Sequence, residues 1–103
     1  MSKPRTDLHV IFENILGDAG KIFYQPPENV KLTYPCIIYQ LKRFADKRAD
    51  NDIYKTDKCY SVTLIDKRPD SEFIEPIRRL PYCSFDNEAV VDNLYHYYFT
   101  IYF

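Results

Sequence analysis

CIIYQLKRFADKRADNDIYKTDKCYSVTLID, residues 36–66, decides how this chain folds. Both ends read as strands. Cys36-Ile37-Ile38-Tyr39 is apolar on both faces, which suits a strand placed centrally in a sheet. Tyr60, Val62 and Leu64 alternate with Ser61, Thr63 and Ile65, the period-two pattern of a strand. Between them lies RFADKRADND, Arg43–Asp52: ten residues with six charges, three of each sign, and one large apolar side chain, Phe44. The strands are expected to pair as a long antiparallel hairpin with this segment near its tip. Asn-Gly and Asp-Gly are absent, so a wide tip is expected. Charge runs are commonly solvated tips. A two-residue turn would suffice here, however, yet both strands continue out into charged sequence. Strand pairs that project beyond a core often pair with something else. Arg43, Phe44, Lys47, Arg48, Asp50, Asn51 and Asp52 are therefore candidate contact residues of an arm between subunits.

Working outward, Leu8, Ile11, Phe12 and Ile15 fall at i, i+3, i+4 and i+7, one stripe of an amphipathic helix over residues 4–16. Ser2, Thr6 or Asp7 can cap its start, Pro4 is tolerated only in its first turn, and Gly17 suits the left-handed residue past its end. Lys21–Gln25 is a short strand stopped by Pro26-Pro27, which cannot donate to a ladder. After the hairpin, Asp70 or Ser71 caps a short helix whose buried stripe is Phe73, Ile77 and Leu80, with Glu72 in its first turn. Pro76 inside that helix removes a bond and clashes, so the helix is kinked there or begins late. Asp92-Asn93 reads as a turn. In the last strand Tyr95, Tyr97, Phe99, Ile101 and Phe103 share one face, and His96, Tyr98, Thr100 and Tyr102 the other. Such a strand must be covered by a helix or by another subunit. The order α-β-β-β-α-β-β predicts an α+β domain: a mostly antiparallel sheet, two helices on one face, and a long central hairpin.

The 103 residues fit one domain, residues 1–103, and 46 % hydrophobic with 28 % charged residues is a globular composition. Ten Tyr and seven Phe suit half-buried sheet faces and protein–protein surfaces. A formal net charge of −1 offers no basic excess to hold a nucleic-acid backbone. No apolar run approaches the ~20 residues of a membrane span. MSKPRTDLHV carries no signal-peptide core, so a soluble protein made in a cytoplasm is expected. Cys36, Cys59 and Cys83 are odd in number and widely spaced, and His9 and His96 are the only histidines. That spacing gives no zinc set, and the thiols are expected reduced and packed as small hydrophobes.

Catalytic readings fare poorly. Nothing in the sequence brings Cys83 to His96, and with glycine only at positions 17 and 20 no oxyanion or phosphate-cradling loop is visible. Asp66, Asp70, Asp86 and Asp92 each sit beside a turn, where turn and cap chemistry explains them better than a carboxylate pair does. The expectation is a protein that is not an enzyme, with no catalytic, cofactor or metal residues. Aromatics on a sheet can stack single-stranded nucleic acid, but the basic and glycine positions of the RNP1 pattern are absent. Core packing accounts for one face of the last strand. The other, with Tyr98 and Tyr102, is a candidate assembly face.

Two long segments carry a resemblance. They are FYQPPENVKLTYPCIIYQLKRFADKRADNDIY (23–54) and VTLIDKRPDSEFIEPIRRLPYCSFDNEAVVDNLYHYYFTIYF (62–103). The matching features are Tyr24-Gln25-Pro26-Pro27, Tyr34-Pro35-Cys36-Ile37-Ile38-Tyr39, Ala49-Asp50-Asn51, Val62-Thr63-Leu64-Ile65-Asp66, Pro69-Asp70-Ser71, Leu80 to Asp86, and Asp92-Asn93-Leu94. Together they resemble the tail terminator, or tail completion, proteins of long-tailed phages and prophages of Gram-positive bacteria with non-contractile tails. The resemblance implies an α+β structural protein of the virion. It would form a ring of its own copies, typically a hexamer, at the head–tail junction. The ring would end polymerisation of the tail tube and present a docking surface to the head connector. Its implied partners are itself, the tail tube protein and the connector protein, and the charged hairpin becomes an arm toward a neighbouring subunit or the tube. A head-side connector or neck component is the nearest alternative, and a sheet-based single-stranded nucleic-acid module the alternative of another class.

Overall fold

The computed structural model describes residues 4–49 and 52–103, with side chains outside 45–57. Helix α1 (Arg5–Leu16) is followed by a short 3-10 turn, strand β1 (Lys21–Tyr24), strand β2 (Cys36–Ala49) and strand β3 (Asp52–Asp66). Helix α2 (Ile74–Arg78), strand β4 (Cys83–Val91) and strand β5 (Leu94–Tyr102) complete the expected α-β-β-β-α-β-β order. The five strands form one sheet in the order β1-β2-β3-β5-β4. Pairing is antiparallel except for β1, which runs parallel to β2 with Ile22 opposite Ile37. The sheet is therefore mixed; Cys36–Tyr39 of β2 is flanked by β1 and β3, an interior place as expected, and β3 is the middle strand.

Alternation explains the core. Ile37 and Tyr39 of β2, Tyr60, Val62 and Leu64 of β3, and Tyr97, Phe99 and Ile101 of β5 point to one side and pack with Leu8, Phe12, Leu16 and Ile77 of the helices. The buried stripe of α1 is Leu8, Phe12 and Leu16, with Ile11 and Ile15 half-buried at its margin. Tyr39 joins α1 to the sheet. Its hydroxyl takes a hydrogen bond from Arg5 Nη1 at 3.1 Å and pairs with His9 Nδ1 at 2.8 Å, while its ring meets Phe12, Tyr24 and Tyr60. Burial pushes the Tyr39 hydroxyl pKa up, against the lowering effect of Arg5.

Several local expectations are corrected. Pro4, in extended geometry, takes the cap position of α1 without a side-chain bond; Asp7 lies in the first turn and Ser2 is outside the described residues. Gly17 has φ of +58°, as its place after the helix requires. Gly20 is needed for another reason: a Cβ there would lie 2.1 Å from the Pro35 carbonyl oxygen. Helix α2 begins late. Its cap position is Phe73, so Pro76 falls in the first turn, where its missing N–H costs no helical bond. Ser71 instead caps the preceding turn: its Oγ accepts from the Phe73 N–H at 3.3 Å and donates to buried Asp66 at 2.8 Å. Asp92-Asn93 is the expected turn, with φ of +52° and +64° between paired Val91 and Leu94. Both central residues at positive φ is the type I′ signature. Asp86 lies not beside a turn but at a bulge in β4, where it accepts the Thr100 hydroxyl at 2.7 Å.

Candidate assembly surfaces

The hairpin β2–β3 is longer than its sheet. Only Cys36–Tyr39 of β2 partner β1-strand residues in register, and β3 meets β5 only from Cys59 to Asp66. Beyond Phe44 and Lys58, where the Lys58 carbonyl still accepts the Phe103 N–H at 2.8 Å, the described residues of the two strands pair in the ladder with each other, out to Ala49 opposite Asp52. The tip itself, Asp50 and Asn51, where a wide turn is expected, lies outside the described residues. Seven residues of β2 past the core span about 20 Å at ~3.3 Å each. The molecule measures 50 × 26 × 24 Å, and its radius of gyration of 14.7 Å exceeds the ~13 Å of a compact chain this long.

A bulge sets the arm's phase. The ladder skips Lys42, between Leu41 opposite Tyr60 and Arg43 opposite Cys59. Without it Arg43 would follow Ile37, Tyr39 and Leu41 toward the helices. With it, Arg43 lands on the open face, where its Nη2 donates to the Tyr102 hydroxyl at 2.8 Å and its guanidinium stands 6.0 Å from that ring. Bulges bend and twist a strand, so this one also aims the arm. Phe44, opposite Lys58, is on the helix side but past the core, and 55 % exposed. Lys47, Arg48 and Asp52 lie in the paired strands, the Lys47 backbone facing that of Lys55. Asp50 and Asn51 lie outside the described residues.

The open face carries Tyr98 and Tyr102 on β5, four residues apart, both half-buried among their neighbours. Tyr98 stands opposite Thr63 and Asn87, Tyr102 opposite Cys59. The structure brings Arg43 and Tyr102 together and leaves Tyr98 farther along the strand.

Sequence reasoning missed a third surface. Strand β4 is a sheet edge, paired with β5 on one side only. Its polar run Ser84, Asp86, Asn87 and Glu88 was the available signal. Phe85, Val90 and Val91 are nonetheless exposed, and before β4 stands Tyr82, 82 % exposed at φ of +59°. The opposite edge, β1, is four residues long and ends at Pro26-Pro27, a blunted edge.

The residues with catalytic potential are held apart. Cys83 is paired with Ile101 and packs against the core, whereas His96 pairs with Ile65 on the open face. Burial, with the Asp86 charge adding to it, pushes the Cys83 thiol up to about 11, the wrong direction for a nucleophile at neutral pH. Cys36 is likewise raised to about 11 by burial. Asp66, the buried carboxylate, is engaged by Ser71 and by the Arg68 backbone N–H at 3.2 Å, so it organises the β3–α2 turn. A shallow open depression near α1 is lined by Glu13, Gly17, Gly20, Lys21 and Ile22. Among the described residues no cluster of His, Cys, Asp and Glu could hold a metal ion, and no helix is long and apolar enough to cross a membrane. No protein-family model and no curated protein matches the chain.

Proposed function

We propose that the chain is a structural subunit of a long-tailed phage or prophage, a tail terminator that acts by contact and not by catalysis. Copies of it close into a ring, with six expected, on the head-proximal end of the tail. The ring ends tube growth and receives the head connector. The observation that carries this reading is the arm. A two-stranded ribbon is marginal in water on its own, and among the described residues this one extends past the strands it shares a sheet with. A partner beyond the chain gives its length a physical reason. The resemblance over residues 23–54 and 62–103 names the kind of assembly. Mixed charges and a net charge of −1 suit contacts between like copies, which then meet little self-repulsion. Antibody-gold labelling of intact particles tests the location. Label at the head–tail joint is expected; label on the head shell or the tail tip, or none on particles, refutes the reading.

A further inference from the structure

We propose that the free edge of β4 in one copy takes the free outer edge of β2 from the arm of a second copy, joining the two sheets head to tail. This rests on the assembly reading above and names its contact. Past Cys83, whose N–H donates to the Leu80 carbonyl at 3.2 Å, strand β4 has one side unpaired among the described residues, and it holds no proline, lysine or arginine. Such an edge with exposed Phe85, Val90 and Val91 is a template for another strand. Tyr82 adds an exposed aromatic held in left-handed backbone at the entrance to the edge. On β2, the ladder to β1 stops at Tyr39, so among the described residues no strand pairs with the outer side of Gln40–Ala49, a stretch about as long as β4.

Charge chooses the occupant. The β2 stretch carries Lys42, Arg43, Lys47 and Arg48 against one acid, Asp46, while β4 carries Asp86 and Glu88 and no base. Two β4 strands paired across a two-fold axis would set acids against acids, which is unfavourable. Arm against edge sets opposite charges together. It is also a heterologous contact, the type that closes a ring. Main-chain bonds give such a joint its affinity, and the flanking charges set which strand is accepted.

The test mixes equal amounts of ordinary and heavy-isotope-labelled full-length chain and couples amines to carboxylates with a zero-length carbodiimide. Mixed-isotope links joining Lys42 or Lys47 to Asp86 or Glu88 are expected. The exposed-site variant Glu88→Lys should lower their yield about tenfold while its thermal unfolding stays unchanged, a tenfold change being ~1.4 kcal/mol. Links confined to one isotope, mixed links that join other surfaces, or a chain that sediments as a monomer at ~1 mM overturn the contact. None of these outcomes bears on gold labelling at the joint, so the two readings fail separately.

Discussion

Excising the arm separates folding from assembly. The variant replaces residues 45–57 with Asn-Gly, leaving Phe44 opposite Lys58 as the closing pair, a geometry that a type I′ turn joins. Five paired positions are lost, from Ala45 opposite Asp57 to Ala49 opposite Asp52. At ~0.2–1 kcal/mol per cross-strand pair that is about 2 kcal/mol. Shortening the connection from thirteen residues to two returns about 1–2 kcal/mol of closure entropy. The two nearly cancel. Urea unfolding should therefore shift by less than about 1 kcal/mol, and thermal unfolding by less than about 6 °C. Self-association should be lost. A stability loss above about 3 kcal/mol would refute the reasoning, because the arm would then serve the fold itself. A variant that still assembles and supports infectious particles at normal yield would refute the arm's role.

Three further outcomes follow from the same contacts. Asp66→Ala orphans the buried Ser71 hydroxyl and removes two bonds to a charged acceptor; at ~1.5–3 kcal/mol for each such bond, urea unfolding should lose about 3–6 kcal/mol, and a loss under about 0.5 kcal/mol contradicts it. Gly20→Ala sets a methyl 2.1 Å from a backbone carbonyl, so it should cost about 1–3 kcal/mol, whereas no loss would mean that the Pro35 loop yields freely. Cys36 and Cys83, raised from 9.0 to about 11, are held as neutral thiols by the fold. Their alkylation at pH 7 should lag far behind that of the unfolded chain. Because the folded pKa is the higher one, their contribution to stability is complete below pH 9.0 and is lost as pH rises through about 11, which urea midpoints across that range check.

The elements whose period repeats cleanly were legible in the sequence. Tyr97, Phe99 and Ile101 alternate without interruption, and Asp92-Asn93 marks its turn by residue types that tolerate positive φ. The bulge at Lys42 was not legible, because neither glycine nor a break in composition marks it, and it alone moves Arg43 onto the face of Tyr102. Strand β4 was legible as a strand but not as an edge. Edge or centre is decided by where β5 lies, and β5 pairs with β3 through contacts distant in sequence. The late start of α2 was one of two outcomes that Pro76 allowed, and burial of Phe73 and Ile77 chose between them.

The measurement that tests the central claim most directly is electron microscopy of particles from a phage or prophage lacking this gene. The account predicts filled heads beside separate tails of irregular length, because nothing ends the tube. Tails of normal length that never join heads would move the protein to the connector side of the joint. Intact, infectious particles would contradict the account outright.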